Sequence, residues 1–292
     1  MASYNNLSTL AGLAVGDVVT YNTATTIDFK KYKVKVELYG VKSTQNGGLT
    51  QFDLDTKDLP SQTLTYSPLG GTSLCYGSSY DKYYRIGVAG NAGEGYYGGT
   101  GGGTTGGNGS TNTDYGSAYG GKGGTQTSGG AGGSWSANGC GPAVVSSGGS
   151  GKTGSFGTNS STGDYECAGW YAGGTGGYFK KGSMYNYATK YGGNGGGSGF
   201  VIGQSTTTYP SGYMGNNNTN ITSLASSISN VTLTQGGSTE TTGKMVLTIL
   251  EVPKSFPKYY NGSAWVDTIW KRYNGSSWED IEIKYYDGST WV

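Results

Sequence analysis

From about residue 91 to 203 one residue in three is glycine, in patches such as "GYYGGTGGGTTGGNG", "YGGKGG", "GGAGGSW", "GGTGGYF" and "YGGNGGGSGF". No other feature restricts the fold as much, because glycine loses more backbone freedom on ordering than any other residue and brings no side chain to bury. Collagen would require a strict Gly-X-Y period and abundant proline, and the chain has neither. A flexible glycine–serine linker is the plain alternative, but such linkers lack aromatic side chains. Here Tyr96, Tyr97, Tyr115, Tyr119, Trp135, Phe156, Trp170, Tyr171, Tyr178 and Phe179 punctuate the glycines. The zone is therefore expected to pack. Its glycine runs would lie side by side as extended, left-handed helices of three residues per turn, hydrogen-bonded to neighbours that the missing Cβ lets approach, with aromatics capping the bundle. Against the entropy of so much glycine, such a bundle has to be cooperative or absent.

The flanks read as β-structure. In "KYKVKVELYG", Tyr32, Val34, Val36 and Leu38 alternate with Lys31, Lys33, Lys35 and Glu37, the pattern of a half-buried strand. "GDVVTY", "LTYSPL" and "YYRIGVAG" add short strands bounded by Gly, Pro, Asn and Ser. After Phe200, "ISNVTLTQGG" and "GKMVLTILEV" predict two strands joined by a polar connection, the second buried on both faces because Met245, Leu247 and Ile249 alternate with the partly apolar set Val246, Thr248 and Leu250. These strands are expected to close the domain that the N-terminal ones begin.

Pro253 and Pro257 in "EVPKSFPKYY" predict a stiff linker, followed by "YYNGSAW", "RYNGSSW" and "YYDGSTW". Tyr260, Tyr273 and Tyr286 recur every thirteen residues, as do Trp265, Trp278 and Trp291. Asn-Gly between strand-like flanks signals a type I′ hairpin turn, and the Tyr and Trp of each copy are placed to meet across it. Three copies predict a small β-meander.

Charge and chemistry narrow the function. A formal net charge of +1, with 13% charged residues, suits neither nucleic acid nor an acidic tail. The N-terminus has no cationic and apolar leader, and no run of eighteen apolar residues occurs, so the chain reads as soluble, without a membrane partner. It has no histidine, which removes Ser-His-Asp and Cys-His nucleophiles, imidazole metal sites and the usual base near neutral pH. Cys75, Cys140 and Cys167 lie far apart without a C-x-x-C pair, so no disulfide framework or zinc site is signalled; one bridge and free thiols from a reducing compartment both fit. "SSGGSGKTGS" ends like a phosphate loop at Gly151-Lys152-Thr153, but Ser146 stands where its first glycine belongs and no strand–helix setting surrounds it. Asp164, Glu166 and Glu94 lie near aromatics, as carboxylates of glycoside-cleaving sites do, yet nothing fixes a catalytic partner. No cofactor or metal is implied. Exposed rings beside Asn, Ser and Thr make sugar platforms and adaptable contact surfaces, although the same rings equally suit the core of a glycine-rich domain. The candidate surface comprises Tyr96, Tyr97, Trp135, Trp170, Tyr171, Tyr260, Trp265, Tyr273, Trp278, Tyr286 and Trp291.

The stretch "LAVGDVVTYNTATTIDFKKYKVKVELYGVKSTQNGG" resembles the opening of glycine-rich domains in phage and Gram-positive bacterial proteins, with Gly16, Asp17, Tyr32, Lys33, Glu37 and Gly40 matching and "GVKSTQNGG" standing where that family writes "GAQGG". The middle resembles the glycine-rich region of the anaplastic lymphoma kinase ectodomain and of phage adhesin tips, which implies bundled polyglycine helices. The "YNGSxW" repeats look like those ending tail and minor structural proteins of phages that infect Firmicutes. The resemblance implies a virion protein on a tail or capsid surface, made in the host cytoplasm and meeting a host cell-surface glycan or protein, other virion proteins and copies of itself in a homo-oligomer such as a trimer.

The expectation is thus a mainly β protein. A sandwich or jelly-roll-like framework, 1–90 and 204–252, encloses a glycine-rich insert, 91–203; 253–257 is a linker and 258–292 a three-hairpin meander. The function expected is non-enzymatic host recognition by a phage tail-associated adhesin. An architectural virion component, such as a capsid fibre or tail decoration, and a cell-wall glycan hydrolase are the alternatives.

Overall fold

The computed structural model describes residues 1–59, 61–68, 71–94, 98–113, 117–136, 145–150, 152–156, 168–176, 178–183, 186–203, 209–216, 218–253, 258–260, 263, 265–267 and 271–280. The chain is mainly β and divides into two compact units, Met1–Val252 and Pro253–Val292.

The first unit begins with β1 (Ser3–Asn5), β2 (Val18–Tyr21), β3 (Thr25–Asp28), β4 (Lys33–Tyr39), β5 (Gly47–Asp55), β6 (Thr63–Ser67), β7 (Thr72–Tyr76) and β8 (Arg85–Ala89). The glycine-rich zone contributes β9 (Ser117–Ala118), β10 (Trp135–Ser136), β11 (Val145–Gly149), β12 (Tyr178–Ser183) and β13 (Asn186–Tyr191). The chain then returns through β14 (Phe200–Val201), helix α1 (Asn218–Ser226), β15 (Ile228–Ser238) and β16 (Lys244–Glu251). Two sheets form a sandwich-like framework: one in the order β1-β2-β16-β4-β5-β15, the other β14-β8-β7-β6-β3. The alternation in β4 has the expected result, with Val34, Val36 and Leu38 fully buried and Lys33, Lys35, Glu37 and Tyr39 on the outer face. The sheets meet closely where β8 carries Gly87, against which the Phe52 ring of β5 lies; a Cβ there would come within 2.6 Å of it.

Two expectations need correction, the burial of β16 on both faces and the all-β reading after Phe200. β16 is central, between β2 and β4, but only Met245, Leu247 and Ile249 reach the core, while Val246, Thr248 and Leu250 are half-exposed on the outer face. Among the described residues no layer buries its second apolar set. β15 and β16 follow one another in sequence yet do not pair, since β15 joins the sheet edge beside β5. The β-reading after Phe200 also missed α1, whose sequence NTNITSLAS has few apolar residues to mark a helical stripe.

Between the framework strands, glycine-rich segments at 90–94, 98–102, 106–110, 120–124, 129–133, 152–156, 168–176 and 192–199 run to and fro and hydrogen-bond to one another. Segment 192–199 is the centre. Every N–H from Gly193 to Gly199 donates to a neighbour with a three-residue period: Gly193, Gly196 and Gly199 to the carbonyls of Ser110, Gly107 and Gly103; Asn194 and Gly197 to Glu94 and Asn91; Gly195 and Ser198 to Gly174 and Tyr171. Its carbonyls accept with the same period, Gly193 and Gly196 from Gly121 and Gly124, and Asn194 and Gly197 from Gly99 and Gly102. A period of three belongs to an extended helix with three residues per turn, which leaves its N–H and C=O groups free for neighbouring segments. Close approach, not unusual φ, is what demands glycine. A Cβ on Gly196 would lie 2.0 Å from the carbonyl oxygen of Thr100, and one on Gly195 2.0 Å from that of Lys122.

In the second unit β17 (Lys258–Tyr260) pairs with β18 (Trp265–Asp267), and β19 (Lys271–Tyr273) with β20 (Trp278–Asp280). The third repeat, with Tyr286 and Trp291, lies outside the described residues. The described turn is not type I′. Tyr273 pairs with Trp278, leaving the four-residue loop 274–277; Gly275 has φ +101° while Asn274 stays out of the left-handed region. The Asn274 side chain shapes the loop instead, its Oδ1 accepting the N–H groups of Ser276 and Ser277 at 2.9 and 2.8 Å.

Candidate functional site

The hydrogen-bond pairing gives the bundle two unlike ends. At the near end it is fastened to the framework: Gly48 N–H donates to Gly90, Gly101 N–H to Asn46, and Gly236 N–H to Gly101. Segment 192–199 runs directly into β14, which pairs with β8. An aromatic cluster seals this junction. Trp170, fully buried, stacks on Phe200 with centroids 3.6 Å apart and planes 6° apart, and meets Phe156 and Tyr213 edge-on. Its indole N–H donates to the Gln126 carbonyl at 3.1 Å. Arg85, also fully buried, donates from Nη1 to the Gly169 carbonyl at 2.9 Å, and the Tyr213 hydroxyl donates to the Arg85 carbonyl. Burial holds the Tyr213 hydroxyl well above its ordinary pKa and pushes the Cys75 thiol up to about 11. Both groups stay protonated near neutral pH and serve packing.

At the far end the same pairing gathers Glu94, Ser110 and Thr175, and Gly192 lies close to Gly176 and Tyr119. The connections there are long, and they carry the antiparallel pair β9–β10 and the sheet β11-β12-β13, which pack on one another. Three tyrosines are exposed here: Tyr119 by 43%, Tyr178 by 36% and Tyr191 by 63%. Tyr178 and Tyr191 are cross-strand partners with centroids 6.0 Å apart. Gly192, next to Tyr191, lies so close to residue 119 that a Cβ would stand 2.4 Å from the Tyr119 carbonyl oxygen. Trp135, half-buried in β10, is opposite Ala118 in the same region.

The structure sorts the sequence-derived candidates by their surroundings. Trp170 belongs to the core and cannot be a contact residue; its neighbours Phe156, Phe200 and Tyr213 enclose it because the segment that bears it leads into the framework junction. Tyr171 is half-buried against Phe156 and Trp170, and burial raises its hydroxyl pKa. Tyr96, Tyr97, Asp164 and Glu166 lie outside the described residues, as do Cys140 and Cys167. Tyr260 and Trp265 are register partners across β17–β18, and Tyr273 and Trp278 are exposed. Tyr119, Tyr178 and Tyr191 were not singled out as contacts; the signal that finds them is their place at the ends of glycine runs whose opposite ends enter the framework.

The chain matches no protein-family model, no curated protein and no solved structure.

Among the described residues no group of three or more His, Cys, Asp and Glu is placed to hold a metal ion, and no helix is long and apolar enough to cross a membrane. What the far end offers is ring surface, hydroxyl groups and small polar residues on short strands, held by a backbone scaffold. Such a surface suits recognition: tyrosine brings large contact area at low entropic cost, with a hydroxyl at its tip.

Proposed function

We propose that this protein is a non-enzymatic phage virion protein, a tail-associated adhesin whose glycine bundle presents the far-end tyrosines to the host cell surface. The observation that carries this reading is the exposure of Tyr119, Tyr178 and Tyr191 at the end of the bundle remote from the framework. Buried aromatics at the near end and exposed ones at the far end follow from one arrangement, a fixed base and a displayed tip. The resemblance to phage glycine-rich and "YNGSxW" proteins supports the virion setting.

The test is binding of the fluorescently labelled full-length protein to a panel of Gram-positive cells. The double substitution Tyr178→Ala and Tyr191→Ala is expected to weaken attachment about tenfold or more, the size of a small hot spot, without lowering the melting temperature. Attachment unchanged by the double substitution contradicts the reading. Release of reducing sugar from cell walls would instead favour the hydrolase, and incorporation into particles without cell binding would favour an architectural component.

A further inference from the structure

The terminal unit carries a different surface. In the hairpin β19–β20 the rings of Tyr273 and Trp278 stand 5.5 Å apart across the ladder and are 56% and 67% exposed. The polar groups beside them are engaged with one another. Arg272 pairs with Glu279 at 3.6 Å, the Asn274 amide donates to Glu279, and its oxygen accepts from Ser276 and Ser277. Over 253–292, Lys254, Lys258, Lys271, Arg272 and Lys284 balance Asp267, Glu279, Asp280, Glu282 and Asp287, so the unit has a formal net charge of zero. Bulk attraction of a polyanion is therefore missing.

The hairpin β17–β18 sets Tyr260 opposite Trp265 in the same register, and the sequence repeats the pair again thirteen residues beyond the second. A repeated neutral aromatic site fits a repeating neutral ligand. A pyranose with equatorial hydroxyls presents its axial C–H bonds as an apolar patch about the size of an aromatic ring, edged by hydroxyls, and a polymer of such sugars repeats that patch at regular intervals. We infer that the terminal unit binds a neutral β1,4-linked polysaccharide of the glucose or N-acetylglucosamine type through the Tyr–Trp pairs of these two hairpins. One pair holds a sugar weakly, and linked pairs raise the effective affinity by making later contacts intramolecular. The inference adds a second surface to the recognition reading and does not depend on the far-end tyrosines.

Full-length protein is titrated with cellohexaose and chitohexaose, with their disaccharides, and with polyglycerol phosphate as the anionic probe. Calorimetry and tryptophan fluorescence are the readouts, since Trp265, Trp270, Trp278 and Trp291 are four of the chain's six tryptophans. At least one hexasaccharide is expected to bind about tenfold or more tighter than its disaccharide, with little dependence on salt. Trp278→Ala should weaken that binding about fivefold or more while Trp278→Phe retains most of it, as expected of a stacking contact. Tyr191→Ala should leave it unchanged, so loss of cell attachment in that variant with hexasaccharide binding intact separates the two surfaces. The inference is overturned if neither hexasaccharide binds at millimolar concentration, if disaccharide and hexasaccharide bind equally, if Trp278→Ala has no effect, or if polyglycerol phosphate alone binds.

Discussion

Asp17 ties the N-terminus to the framework with one carboxylate. Its oxygens accept the N–H groups of Ala2 at 2.7 Å and Ala14 at 3.1 Å, while its own carbonyl accepts the Ile249 N–H at the end of the central strand. The hydrogen bond from Ala2, then that from Ala14, favours the charged form and lowers its pKa. A carboxyl whose folded pKa is depressed stabilises the fold above its unfolded pKa, and that contribution fades as pH falls through the folded one. The melting temperature should fall as pH drops from about 5 to about 3, and Asp17→Asn should lower it at pH 7 and flatten part of that acid slope. Equal slopes in the two proteins would remove Asp17 from the account. In the sequence Asp17 was legible only as one letter of a resembling stretch, because its partners are backbone groups, which no side-chain pattern records. Trp170 and Tyr191 teach the same lesson from the other side. Both are aromatics beside glycine, and only the direction in which each segment leaves the bundle makes one core and the other surface.

Among elements, the glycine segments show which sequence signals survive folding. In the glycine zone close backbone contact accounts for the glycines and the buried junction for Trp170, Phe156 and Phe200, whereas in the sequence the rings between the glycines made packing only the expected alternative to a linker. The alternation in β4 was equally plain. By contrast β16 is apolar on a face that faces outward, and the Asn-Gly of the second hairpin forms a four-residue loop in which the Asn side chain replaces a backbone turn. Pairing order and loop length depend on partners distant in sequence, so local pattern does not give them. Gly196→Ala places a methyl 2.0 Å from the Thr100 carbonyl oxygen, with rigid backbone on the other side. It should destabilise the first unit by about 3 kcal/mol or more, lowering its melting temperature by several degrees. A neutral substitution would mean that the segments do not approach this closely in solution.

At the scale of the whole molecule, two kinds of construction meet. The framework takes its stability from two sheets around an apolar core, whereas the bundle takes its order from hydrogen bonds between segments that have few side chains to bury. That construction separates a base from a far end, and only an ordered bundle can hold Tyr119, Tyr178 and Tyr191 in a fixed arrangement. Display therefore depends on the bundle being ordered, and residue-resolved amide hydrogen exchange on the full-length protein reads that order. The seven N–H groups from Gly193 to Gly199 all donate within the bundle and should be protected together, exchanging by a common opening as the strands of the framework do. Exchange at these seven amides at the rate of an unstructured chain, with β4 and β16 still protected, would contradict the account and leave the glycine zone a tether.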